Sequence, residues 1–210
     1  MIGSRKSWIK FLMQAVVGAV TGFVCTTLLG KAHWFGQVVD NAGAMALFFV
    51  GLTYLVGGVA AYLPSLHPRL GARFLFVADE EELRDLRPIM LASGIVMSAI
   101  GVGQILLVLA HANAVPPFLA AVVMLSSIAL AIGVTIGQWR QYDEFWKQVS
   151  MEGSQYTLWA VLVALIGWAT LAQFGWVPAI NPLGLIALLM GLALVCTMIA
   201  AQRRGMARFD

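Results

Sequence analysis

Residues 117–136 read PFLAAVVMLSSIALAIGVTI, a run that contains no charged side chain and is opened by a proline. At 1.5 Å rise per residue, a helix of this length is about 30 Å long, the thickness of a bilayer's hydrocarbon core. Working outward, comparable runs recur at about 9–29, 43–63, 89–110, 157–175 and 182–201. The chain therefore reads as an all-α polytopic membrane protein with six transmembrane helices in three hairpins. Its 210 residues, 60% hydrophobic and 11% charged, leave no connection long enough to hold a soluble core.

The charges give this topology a direction. Alternating the connections puts the N-terminus, the 64–88 loop, the 137–156 loop and the C-terminal tail on one face. Those segments hold Arg5, Lys6, Lys10, Arg69, Arg73, Arg84, Arg87, Arg140, Lys147, Arg203, Arg204 and Arg208, which is 12 of the 13 Lys and Arg residues. Only Lys31 falls opposite. By the positive-inside rule the richer face is cytoplasmic, so both termini are expected in the cytoplasm of a bacterial inner membrane. The acids follow, with Asp40 alone outside. A formal charge of +3 spread over four segments speaks against nucleic acid as a partner and for the anionic lipid surface, at about 1 kcal/mol per well-placed cation.

Helix ends are marked by composition. His111 to Pro117 and Gly175 to Pro182 read as tight outer turns, with Pro117 and Pro182 in the first turn of the following helix. Gly30 to Asn41 reads as the first outer turn. Aromatics mark several boundaries, including Trp139, Tyr142, Trp146 and Tyr156 inside and Trp34 and Trp176 outside. Tyr54 and Trp168 lie deeper and call for bundle contacts. The first run follows Arg5, Lys6 and Lys10 but is too long for a signal peptide's apolar region and offers no small-residue cleavage site, so it reads as a retained helix. Cys25 and Cys196 differ in depth by roughly 16 Å at helical rise, too far for a disulfide, and are expected as free thiols.

Small residues suggest close helix approach at Gly18/Gly22, at Gly133/Gly137, and at Ser93, Gly94, Ser98 and Gly101. The inner loops carry their own helical patterns. Asp79 can cap a short helix containing a Glu80–Arg84 pair, with Pro88 opening helix 3. Gln138 to Gly153 reads as a helical continuation of helix 4 into helix 5, with Tyr142, Phe145, Trp146 and Val149 on its interfacial face.

The most suggestive polar cluster lies in that connector: Asp143, Glu144, Lys147, Gln148 and Glu152. Glu144, Gln148 and Glu152 fall along one helical stripe, as a cation site at a cytoplasmic mouth or a docking edge would require. A solvated helix face with weak ion pairs explains the same pattern. His33, His111 and Asp40 could make an outer metal site, although solvated histidines account for them more simply, and no metal or cofactor is implied. No charge lies near mid-depth. Gln104 is the deepest amide and should seek an interhelical hydrogen bond, while Ser126, Ser127, Thr53, Thr135 and Thr197 serve as polar packing. No phosphate loop, zinc-protease helix or paired intramembrane aspartates appear, and no internal repeat, so neither an enzyme nor an inverted-repeat transporter is indicated.

From about Arg84 to Arg204 the chain resembles a family of small four-helix bacterial membrane proteins of uncharacterised activity. The resemblance rests on an Arg-containing lead-in, the connector Asp143-Glu144 through Glu152-Gly153, and the closing Arg203-Arg204. Gly153 stands where that family usually has Ala, and Lys147-Gln148 where it has a more basic pair. It implies a four-helix unit over residues 84–210, to which residues 1–83 add a helical hairpin and a loop, within one membrane domain. Together these readings favour a non-catalytic accessory or assembly subunit that binds another membrane protein or itself. The alternative is a small-solute or ion transporter or channel with Gln104 and Glu152 on its route.

Overall fold

The computed structural model describes residues 33–66, 80–140, 142 and 144–203. Among them are six α-helices: α1 His33–Val39, α2 Ala42–Leu66, α3 Glu80–His111, α4 Pro117–Trp139, α5 Glu144–Gln173 and α6 Pro182–Arg203. All except α1 are long and apolar enough to cross a membrane. They coincide with the expected spans from 43–63 onward. The span expected at 9–29, with Gly18, Gly22 and Cys25, lies outside the described residues, as do residues 67–79, Asp143 and the tail from Arg204.

Local chemistry sets the helix ends. Pro116 precedes α4 in an extended conformation (φ −57, ψ 130) and Pro117 occupies its first turn, where a missing N–H costs nothing. Pro182 opens α6 in the same way. α3 and α5 close with a shared device: Asn113 (φ 57) and Gly175 (φ 72) take left-handed backbone. The amides of Ala114 and Trp176 then reach back to the carbonyls of Leu109 and Leu171, at 2.9 and 3.1 Å. Bonds from Asn113 to Ala110 and from Gly175 to Ala172 complete two Schellman motifs, which satisfy carbonyls that a helix end leaves free.

Three local expectations are corrected. The 30–41 turn contains the seven-residue helix α1. Pro88 does not open helix 3 but sits inside α3, which runs unbroken from Glu80. A proline there removes one bond to the carbonyl four residues earlier, and that carbonyl belongs to the polar lead-in, where water can serve it. The connector does not continue α4: α4 stops at Trp139, Tyr142 is non-helical, and α5 starts afresh at Glu144. The chain has to reverse here so that α5 runs opposite to α4, and a continuous helix cannot do so.

Contacts between helices fix their directions. Gly51 faces Gly101 and Gly58 faces Gly94, so α2 and α3 are antiparallel. Ser127 Oγ donates to the Ala99 carbonyl at 3.0 Å and Gln138 Nε2 to that of Pro88 at 3.3 Å, making α3 and α4 antiparallel. α2 and α6 run parallel, because Asn41 meets Asn181 while Tyr54 donates to the Met190 carbonyl at 3.1 Å. α5 and α6 form the last antiparallel pair, with Gly153 against Thr197. The helices thus pack in the order α4–α3–α2–α6–α5. α2, which comes from the 1–83 segment, lies between the two hairpins that follow it.

One end of this row gathers Asn41, His111, Pro117 and Asn181, and is called here the asparagine end. The arginine end carries Arg87, Arg140, Lys147 and Arg203. The main apolar cluster sits toward the asparagine end, built on Val38, Ala44, Leu47, Phe48, Val108 and Ala187.

Candidate functional site

The connector residues lie at the arginine end, on the first turns of α5. Glu144 is exposed in the first turn, where a carboxylate complements the positive end of the helix dipole. Lys147 and Glu152 are half-buried and Gln148 is exposed; Gln148 and Glu152 both have interaction partners. Asp143 falls outside the described residues. On the opposite face Val149 is buried, and the rings of Phe145 and Trp146 meet edge-to-face at 5.9 Å. One turn on, Gly153 packs against Thr197 and Ala200 of α6.

Two polar clamps tie this end together. Arg203 Nη1 donates to the Tyr156 hydroxyl at 2.9 Å, and its guanidinium lies 5.6 Å from the same ring's centroid, joining α6 to α5. The Tyr142 hydroxyl donates to Gln138 Oε1 at 3.2 Å, and Gln138 in turn holds α3 through Pro88. Burial pushes the Tyr142 hydroxyl above the ordinary phenol range, so it stays a neutral donor.

Gln104 does not behave as expected. It is fully buried, and neither its Nε2 nor its Oε1 has a hydrogen-bond partner. Its Cβ packs on Gly51, and one helical turn away Leu47, Phe48 and Val108 belong to the apolar cluster. An unpaired buried amide costs about 1–3 kcal/mol. Gln104 on α3 and Glu152 on α5 are not brought together, since α2 and α6 stand between those helices.

Of the hydroxyls expected to join helices, Ser127 alone among Ser126, Ser127, Thr53, Thr135 and Thr197 is bonded to another helix. The others bond to carbonyls three or four residues back in their own helices. Tyr54 and Trp168 do find partners, the latter donating to the Pro178 carbonyl at 3.0 Å. Cys196 is a free, buried thiol.

A polar network that the sequence reading did not assemble occupies the asparagine end. Asn41 caps α2, its Oδ1 accepting from the amides of Gly43 and Ala44 at 3.0 and 3.1 Å. Asn181 caps α6, its Oδ1 accepting from the amide of Gly184 at 2.6 Å. The two caps touch: Asn181 Nδ2 donates to Asn41 Oδ1 at 2.7 Å. Asn41 Nδ2 then reaches His111 Nε2, at the end of α3, at 3.1 Å. Asn41 and Asn181 each directly precede a helix, which marks them as caps. Nothing in their 140-residue separation marks them as partners. His111 therefore has a hydrogen-bonding role here, and among the described residues no three His, Cys, Asp or Glu side chains converge as metal ligands would.

Set beside protein-family models, curated proteins and solved structures, the chain matches none of them.

Proposed function

We propose that this chain is a multi-pass subunit of the bacterial inner membrane, with six spans and both termini cytoplasmic, that assists or assembles another membrane protein without catalysing a reaction. The observation that carries this reading is the uncovered state of α5. No residue of its most apolar stretch is buried, and Trp159, Val163 and Ile166 are 66%, 71% and 64% exposed. Among the described helices it packs substantially on α6 alone. A helix whose whole flank is left open, and which carries a polar connector at its cytoplasmic base, suits lateral docking to another membrane protein. The likeness to four-helix bacterial membrane proteins from Arg84 to Arg204 supports the same reading by singling out that connector.

Native mass spectrometry of the tagged protein, extracted gently from its own membranes, tests this. A fixed-ratio complex with a different protein is expected; a bare monomer or homo-oligomer would count against it. The orphaned Gln104 amide favours a second reading, passage of a small polar solute or ion. Flux in proteoliposomes that persists in Glu152→Gln and Gln104→Leu would remove both residues from any such route.

A further inference from the structure

The hydrogen bonds at the asparagine end have a fixed direction, and it is set by backbone. A helix N-terminus offers only N–H donors, so the cap facing it must present oxygen. The Gly184 amide therefore orients Asn181 with Oδ1 toward α6, which leaves Nδ2 pointing at Asn41. Three donors (the amides of Gly43 and Ala44 and Asn181 Nδ2) converge on Asn41 Oδ1. Asn41 then has only its amide hydrogens left for His111. The relay ends on Nε2, which must supply a lone pair. In this contact His111 is a neutral imidazole carrying its proton on Nδ1.

We infer that Asn181, Asn41 and His111 form a proton-sensitive latch joining α6, α2 and α3, closed while the imidazole is neutral and released when it is protonated. An imidazolium has two N–H donors and no acceptor, so Nε2–H would meet Asn41 Nδ2–H donor to donor. Asn41 cannot turn its amide over to receive the new proton. Doing so would set its NH₂ against three donors and undo the α2 cap. The ring itself, exposed at the end of α3, is the part free to leave.

Among the described residues at this end, the other ionisable ones are Asp40, exposed in the turn between α1 and α2, and His33, the first residue of α1. If this end faces outward as proposed above, the latch reads external pH. It does not require a protein partner.

The test uses the full-length protein in lipid nanodiscs, melted at pH 5 and pH 8. Wild type should melt about 2–4 °C lower at pH 5, the shift that losing one such contact gives in a chain of this size. His111→Gln keeps an acceptor oxygen but cannot be protonated, and should melt alike at both pH values. An equal acid shift in this variant, or no shift in wild type, would overturn the latch. Independently of any variant, ¹⁵N-histidine NMR of wild type at pH 8 should show His111 protonated on Nδ1. A proton on Nε2 would overturn it equally.

Discussion

Glycines of α2 and α3 and glycines of α4 look alike in sequence and differ completely in the bundle. A Cβ placed on Gly101 would come within 2.6 Å of the Leu55 amide nitrogen and 2.7 Å of the Gly51 carbonyl oxygen, and one on Gly94 within 2.8 Å of the Gly58 carbonyl oxygen. Those are backbone atoms, which cannot swing aside. A Cβ on Gly133 or Gly137 would meet nothing within 4 Å. The first set lets two helices approach until backbone touches backbone, the main source of attraction between helices in a bilayer, where hydrophobic burial adds little. The second set lies on an exposed face of α4, where no other described helix packs. A small-residue spacing thus states that close approach is possible on that face, without saying that it happens.

The sharpest way to break this contrast is to fill both kinds of glycine. Gly101→Leu should destabilise the bundle by about 3 kcal/mol or more, because overpacking that meets backbone forces the helices apart. Gly133→Leu should stay within about 0.5 kcal/mol of wild type. Melting temperatures of both variants in one detergent would show it, and similar losses at the two sites would remove the distinction. Next in size comes Gln104→Met, which replaces an unpaired amide by an apolar chain of similar shape. It should stabilise the fold by about 1–3 kcal/mol. A loss of that size would mean that the amide has a partner in the membrane, and would strengthen the solute-passage reading.

Asn41→Ala removes the acceptor for two backbone amides and for Asn181, and should cost about 1–2 kcal/mol. Hydrogen exchange at Gly43 and Ala44 should quicken with it; unchanged protection there would show that the cap contributes nothing. The smallest effect is expected at Gly153. Its added Cβ would lie 3.5 Å from Thr197 Cα, an ordinary contact, so Gly153→Ala should stabilise α5 by about 0.5–1 kcal/mol. A measurable loss on this substitution would show the α5–α6 contact to be tighter than its glycine suggests.

The connector and the asparagine end were unequally legible in the sequence. Glu144, Gln148 and Glu152 stand out because charge near an apolar run is rare and the spacing is local. The latch is quieter. Asn41, His111 and Asn181 sit in three separate turns, each of which needs an Asn or tolerates a His for its own sake. Only the parallel packing of α2 beside α6, with α3 ending next to them, turns two caps and a histidine into one network. Gln104 was noticed for the right reason, as the deepest amide. Its isolation depends on which residues happen to face it, and those come from another helix.

By itself the sequence determined where the five long helices of the described chain lie, though not α1, the true start of α3 or the break before α5, and how several of them begin and end. Apolar length against a bilayer's thickness, a proline's missing N–H and a residue's tolerance of left-handed backbone are all local properties, carried by neighbouring residues. The tertiary structure alone decided the order α4–α3–α2–α6–α5, the central place of α2, the use of some glycines and not others, and the joining of Asn181, Asn41 and His111. In a bilayer every apolar face is satisfied by lipid, so hydropathy cannot name a helix's neighbours. That choice rests on shape at the small residues and on which polar groups meet across the chain.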